Sequence, residues 1–95
     1  SKLIPADGVY VVRVELKEGT FGGMLYIGDR PTIEQATPHR SVEVNLFGLD
    51  RDLYGEAITV RCLERVRGDM RFEGLDALKR QMQQDEAFAR QRLGR

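Results

Sequence analysis

Few side chains in this 95-residue sequence can do chemistry, and two of the best candidates stand together. Residues 41–47 alternate cleanly: Val42, Val44 and Leu46 fall on one face of a strand, and Ser41, Glu43, Asn45 and Phe47 on the other. Same-face neighbours lie roughly 6–7 Å apart, so Glu43 and Asn45 project side by side, a carboxylate next to an amide. Such a pair could serve a polar site or simply face water. Alternation alone leaves both readings open.

The other candidates are weaker. Nucleophilic catalysis needs a base beside the nucleophile. His39, the sole histidine, follows Pro38 in a loop, and Cys62, the sole cysteine, reads as a small buried hydrophobe. A metal site of histidine and cysteine ligands fails on their number. Asp50 and Asp52 flank Arg51 in what reads as a solvated turn, and an EF-hand loop is excluded by its spacing. Pro31-Thr32 could present a hydroxyl to a phosphate or Mg²⁺, but turn formation alone is the better account of that dipeptide. The basic residues of the last segment read as a wet helix face.

The elements that position these residues follow from period and punctuation. Pro5-Ala6-Asp7-Gly8 is a turn, and residues 9–16, rich in β-branched and aromatic types, form a strand. Lys17-Glu18-Gly19-Thr20 makes a polar hairpin connection to a second strand over 21–27, in which Gly22-Gly23 marks a bulge or a close backbone approach. Residues 28–40 are a long irregular segment. The third strand is 41–47, and a polar turn leads through Tyr54-Gly55 to a fourth over 57–66, with Ile58, Val60 and Cys62 on one face. From Leu75 the period lengthens. Leu75, Leu78 and Met82, then Phe88, Ala89 and Leu93, trace the apolar stripe of one helix over about 75–93, with Gly74 at its cap position.

Length and charge bound the function. Ninety-five residues make one small domain with a thin core. Fifteen basic residues balance 15 acidic ones, which argues against a nucleic-acid module, and a 7% aromatic content argues against an oligonucleotide-binding barrel. A lone cysteine excludes a disulfide scaffold and suits a cytoplasmic setting. No apolar run reaches the roughly 20 residues a membrane helix needs. The chain begins Ser1-Lys2-Leu3 without methionine, which we read as a segment of something longer.

Six segments, in order and spacing, resemble one family: Pro5-Ala6-Asp7-Gly8-Val9-Tyr10, Gly23 through Thr32, Val42-Glu43-Val44-Asn45-Leu46, Asp52-Leu53-Tyr54-Gly55-Glu56, Leu63-Glu64-Arg65-Val66-Arg67, and Arg71 through Leu78. The family is the riboflavin kinase domain, found in the C-terminal half of the bacterial bifunctional riboflavin kinase/FAD synthetase. The resemblance runs from Leu3 to Leu93 and implies one N-terminally incomplete domain, 1–95, with barrel strands within 8–67. It implies a mainly β fold, a Greek-key split β-barrel with a C-terminal α-helix and without its first strand. It also implies ATP-dependent phosphorylation of riboflavin to FMN with Mg²⁺, and an N-terminal nucleotidyltransferase domain in the parent.

In that family the base is the glutamate of a Val-Glu-x-His strand, which maps onto Glu43; Asn45 stands where the histidine would be. Leu46 and Tyr54 match nucleotide-side positions, and Val60, Leu63, Arg67 and Phe72 fall in the segments that border the flavin. Val60 and Phe72 could instead be plain core, and Arg67 could cap the loop before the helix. The chief departure is at the front: the glycine loop and Pro-Thr-x-Asn motif that hold the Mg²⁺–nucleotide have no counterpart. Pro31-Thr32-Ile33-Glu34 has the wrong context and a glutamate where asparagine is required, so no metal ligand is assigned in this chain. The expectation is an incomplete kinase domain, inactive by itself, with an open sheet edge prone to dimerisation. The rival is a non-catalytic flavin- or partner-binding β-barrel in which Glu43 is a surface carboxylate.

Overall fold

Valine and tyrosine at every position but one from Val9 to Val14 suit a strand buried on both faces, and the first strand is central. A computed structural model describes residues 6–30 and 39–94, apart from the side chains of Arg30, His39 and Arg40. The possible Pro31-Thr32 site, Glu34 and the His39 imidazole fall outside that description. Four strands, β1 (Gly8–Leu16), β2 (Gly19–Arg30), β3 (His39–Leu46) and β4 (Thr59–Arg67), precede one helix, α1 (Leu75–Leu93). All pairings are antiparallel, in the order β3-β2-β1-β4. Three strands in series with the fourth returning beside the first is the Greek-key order. The sheet stays open, with β3 and β4 as its edges among the described residues.

One face of β1 carries Tyr10, Val12 and Val14, which join Leu25 and Ile27 of β2 in the core; Leu16, Val44, Leu46 and Ile58 close around them. Val9 and Val11, equally buried, point to the opposite face, which the helix covers. Burying each such valine contributes roughly 1.5–3 kcal/mol relative to leaving it in water. The helix meets that face through its last turns. Ala89 is fully buried, and Leu93 rests on Gly22, where a β-carbon would stand 2.5 Å from Leu93 Cδ1.

Four expectations need correction. Residues 28–40 are not irregular throughout, since β2 continues to Arg30 and β3 begins at His39, which puts His39 on a strand. Cys62 is exposed, because β4 is an edge strand with no neighbour beyond it among the described residues; partial burial still pushes its thiol pKa up, away from the reactive thiolate. The hairpin connection is shorter than read: Leu16 pairs with Gly19, leaving only Lys17-Glu18 as the turn. The helix stripe is only half covered, since Leu75 is 59% and Met82 50% exposed. Its N-terminal half overhangs the sheet instead of lying on it. At Gly22-Gly23 the reason is close approach, since β2 pairs with both neighbours without a register shift there. The irregularities lie in the β1–β4 pairing, between Val9 and Tyr10 and between Val11 and Val12.

Candidate active site

Register decides which side chains meet. Directly opposed residues of neighbouring strands share a face, and Asn45 opposes Met24 while Glu43 opposes Tyr26. Farther across, Tyr26 opposes Val9 and Val9 opposes Arg67. Glu43, Tyr26 and Arg67 therefore line up on the helix side of the sheet, two edges and the middle of one row. The pairing irregularities of β4 matter here, since they send Arg61, Glu64 and Arg67 all to that side, against Arg13, Val11 and Val9.

Between this row and the overhanging start of α1 lies a groove of about 790 Å³. Such a volume suits one cofactor-sized molecule. Its floor is Val9, Met24 and Tyr26; Phe72, Leu75, Leu78 and Met82 form the apolar roof. Glu43 and Asn45 stand at one side and Arg67 with Asp85 at another. Arg67 sits 5.8 Å from the Phe72 ring centroid. Tyr26 donates a long hydrogen bond, 3.3 Å, to Asp69 on the loop that leads to the helix. An apolar slot with a cation and an aromatic ring at one end fits a flat, neutral, heteroaromatic ligand.

A second depression, about 720 Å³, lies on the outer side of β3 and is lined by Val42, Glu43, Leu46, Leu49, Asp52 and Tyr54, among others. Tyr54, 93% exposed, stands at its rim. The loop that carries it is pinned by Arg51, which donates to Glu18 of the hairpin turn at 2.6 Å and to Glu56. Arg51 holds both carboxyls below the usual carboxylate range. Asp52 Oδ1 accepts from the Tyr54 backbone N–H at 2.9 Å, shaping the turn.

Of the residues singled out in the sequence, Glu43, Arg67 and Phe72 thus share the groove, and Leu46 and Tyr54 share the second depression with Glu43. Val60 and Leu63 line neither. Both are solvent-accessible on the edge strand. Sequence reasoning passed over Tyr26, Met24 and Asp85. Alternation puts Met24 and Tyr26 on one face of β2, and the register with β3 makes it the face of Glu43. Asp85 is legible in hindsight as the charged member of a helical series, 75, 78, 82, 85 and 89, that is otherwise apolar.

A family model for riboflavin kinase matches residues 1–93. The chain belongs to the riboflavin kinase family. It is 41% identical over 91 residues to the bifunctional riboflavin kinase/FMN adenylyltransferase of Escherichia coli K12, covering 95% of this chain and 28% of that protein. The Bacillus subtilis protein of the same description is 34% identical over 90 residues, covering 94% of this chain and 28% of its own length. A solved structure from Streptococcus pneumoniae, described as a macrolide-efflux protein, shares the fold with a TM-score of 0.77 at 36% identity. That match covers 93% of this chain and 28% of the other. The chain spans a little over a quarter of the length of these relatives.

Proposed function

We propose that this chain is the acceptor-binding part of an enzyme that transfers the γ-phosphoryl group of ATP to the ribityl 5′-hydroxyl of riboflavin, giving FMN and ADP. The observation that carries the reading is that Glu43 borders both depressions. A base in such a transfer must stand between the acceptor and the donor. The groove would hold the isoalloxazine ring against Met24, Leu78 and Phe72, with Arg67 at its polar edge. The depression beside Leu46 and Tyr54 would take the nucleotide. Glu43 would orient the 5′-hydroxyl and accept its proton as the new P–O bond forms and the bond to the ADP oxygen breaks.

Mg²⁺ would accompany ATP and offset the charge of its phosphates. Among the described residues no three His, Cys, Asp or Glu side chains come together to hold a metal, so no step is assigned through it. The Pro-Thr-x-Asn motif that the family resemblance ties to the metal–nucleotide is not in residues 1–95, and the chain alone is expected to bind riboflavin with little turnover. In the parent, a nucleotidyltransferase domain would then use the FMN.

The test is Glu43→Gln in the longest natural form of the protein, with riboflavin binding followed by flavin fluorescence and FMN formation by chromatography. We expect turnover to fall by roughly 10²–10⁴, the usual contribution of a positioned base, with riboflavin affinity kept. Near-normal turnover would remove Glu43 from the mechanism.

A further inference from the structure

Asp85 is the only charged residue in the buried class among the described residues, at 3% exposure. It stands in the apolar register of α1, between Met82 and Ala89. A carboxylate there needs partners, because removal from water strongly disfavours an unpaired charge. It has them. Arg67 Nε donates to Asp85 Oδ1 and Oδ2 at 3.1 and 3.0 Å, and Nη2 approaches Oδ2 at 2.8 Å. Gln81, one turn earlier in the helix, donates from Nε2 to Oδ1 at 3.0 Å. Arg67 Nη1 donates to the carbonyl of Gly68 at 3.1 Å.

Nε and Nη1 each donate one N–H, and Nη2 lies in ion-pair contact with Oδ2. A guanidinium has five N–H donors, so Nη1 and Nη2 keep donors beyond these hydrogen bonds. The plane of the group is fixed from two directions, by the helix and by its own loop. A strut between β4 and α1 does not require this arrangement, since a well-packed apolar pair joins two elements as well or better. Charge adds a second constraint. Asp85 already balances Arg67, so the pair suits a neutral acceptor, such as a ring carbonyl, better than a free anion.

We propose that Asp85, seconded by Gln81, is a positioning residue: it holds the Arg67 guanidinium so that the N–H groups left on Nη1 and Nη2 address the polar edge of the ring bound in the groove. The identity of that ring rests on the riboflavin reading; the clamp itself does not.

The experiment therefore has two arms on the full chain. In the first, the Arg67 Nε–H signal is followed by NMR without ligand. A clamped guanidinium gives a distinct, slowly exchanging Nε–H, and Asp85→Asn should shift it and speed its exchange; an unchanged signal overturns the clamp. In the second, riboflavin is titrated by fluorescence quenching against variants whose folding is checked by circular dichroism. Asp85→Asn should weaken binding roughly tenfold, the scale of one charge-assisted hydrogen bond, and Gln81→Leu about threefold. Wild-type affinity in the folded variants would show that Asp85 is only a strut. Should Asp85→Asn fail to fold, Gln81→Leu decides both arms. If the unaltered chain does not bind riboflavin, the functional reading fails, and the NMR arm alone still judges the clamp.

Discussion

Gly23 lies so close to the carbonyl oxygen of Asn45 that a β-carbon on it would overlap that oxygen. The two are on neighbouring strands, one step out of direct opposition, and the contact is with backbone that cannot rotate away. At the adjacent Gly22 the obstacle is the far end of Leu93, a flexible side chain.

Gly23→Ala should consequently destabilise the chain by about 1–3 kcal/mol, as overpacking does, and displace the strand that carries Glu43. Gly22→Ala should cost less, because Leu93 can swing aside. Urea unfolding of the two variants checks the order, and equal midpoints would contradict it.

The groove makes a second contrast. Phe72 faces it while Leu63 lies outside it on the edge strand. Phe72→Ala should weaken riboflavin binding by roughly tenfold, the scale of a lost aromatic contact with its buried area, and Leu63→Ala should leave it nearly unchanged. Fluorescence titration of both variants decides whether the proposed flavin wall reaches as far as Leu63.

A third concerns acid. Arg51 holds the Glu18 and Glu56 carboxyls below their ordinary range, so the folded state binds protons less readily than the unfolded chain. The contribution of this tether is complete above the ordinary glutamate pKa of ~4.3 and is lost as pH falls through the lower, folded-state values. Arg51→Met should lower the melting temperature slightly at pH 7. The difference from the unaltered chain should shrink toward zero in strong acid and in high salt. A difference that is the same at every pH would rule the tether out.

Much of the fold and part of the site could be read from the sequence, for physical reasons that differ by residue. Alternation over residues 41–47 placed Glu43 on the polar face of its strand, since a period of two depends only on backbone geometry. The change of period at Leu75 marked the helix for a similar reason. Cys62 was misread because burial depends on whether a strand lies inside a sheet or at its edge, and no local pattern reports that. Leu75 and Met82 carry a core-like spacing yet roof a groove, since periodicity does not say whether a covering layer exists. Asp85 was hidden behind its type: an aspartate on a helix is usually wet, and only its partner, Arg67 from 18 residues earlier, makes burial tolerable.

The strand order has a consequence in time. β1 and β2 are joined by a two-residue turn, whereas β1 and β4 meet only after the chain between them has been gathered in, with Val9 pairing to Arg67. Contacts distant in sequence form late, because their loops must close before they reward the closure. Glu43, on a strand that pairs with β2, should be in place while Arg67 is still unattached. The carboxylate side of the groove would then be native before its cation side arrives. Pulse-labelled hydrogen exchange during refolding should protect the β1–β2 amides before those of β4, and simultaneous protection would contradict this order.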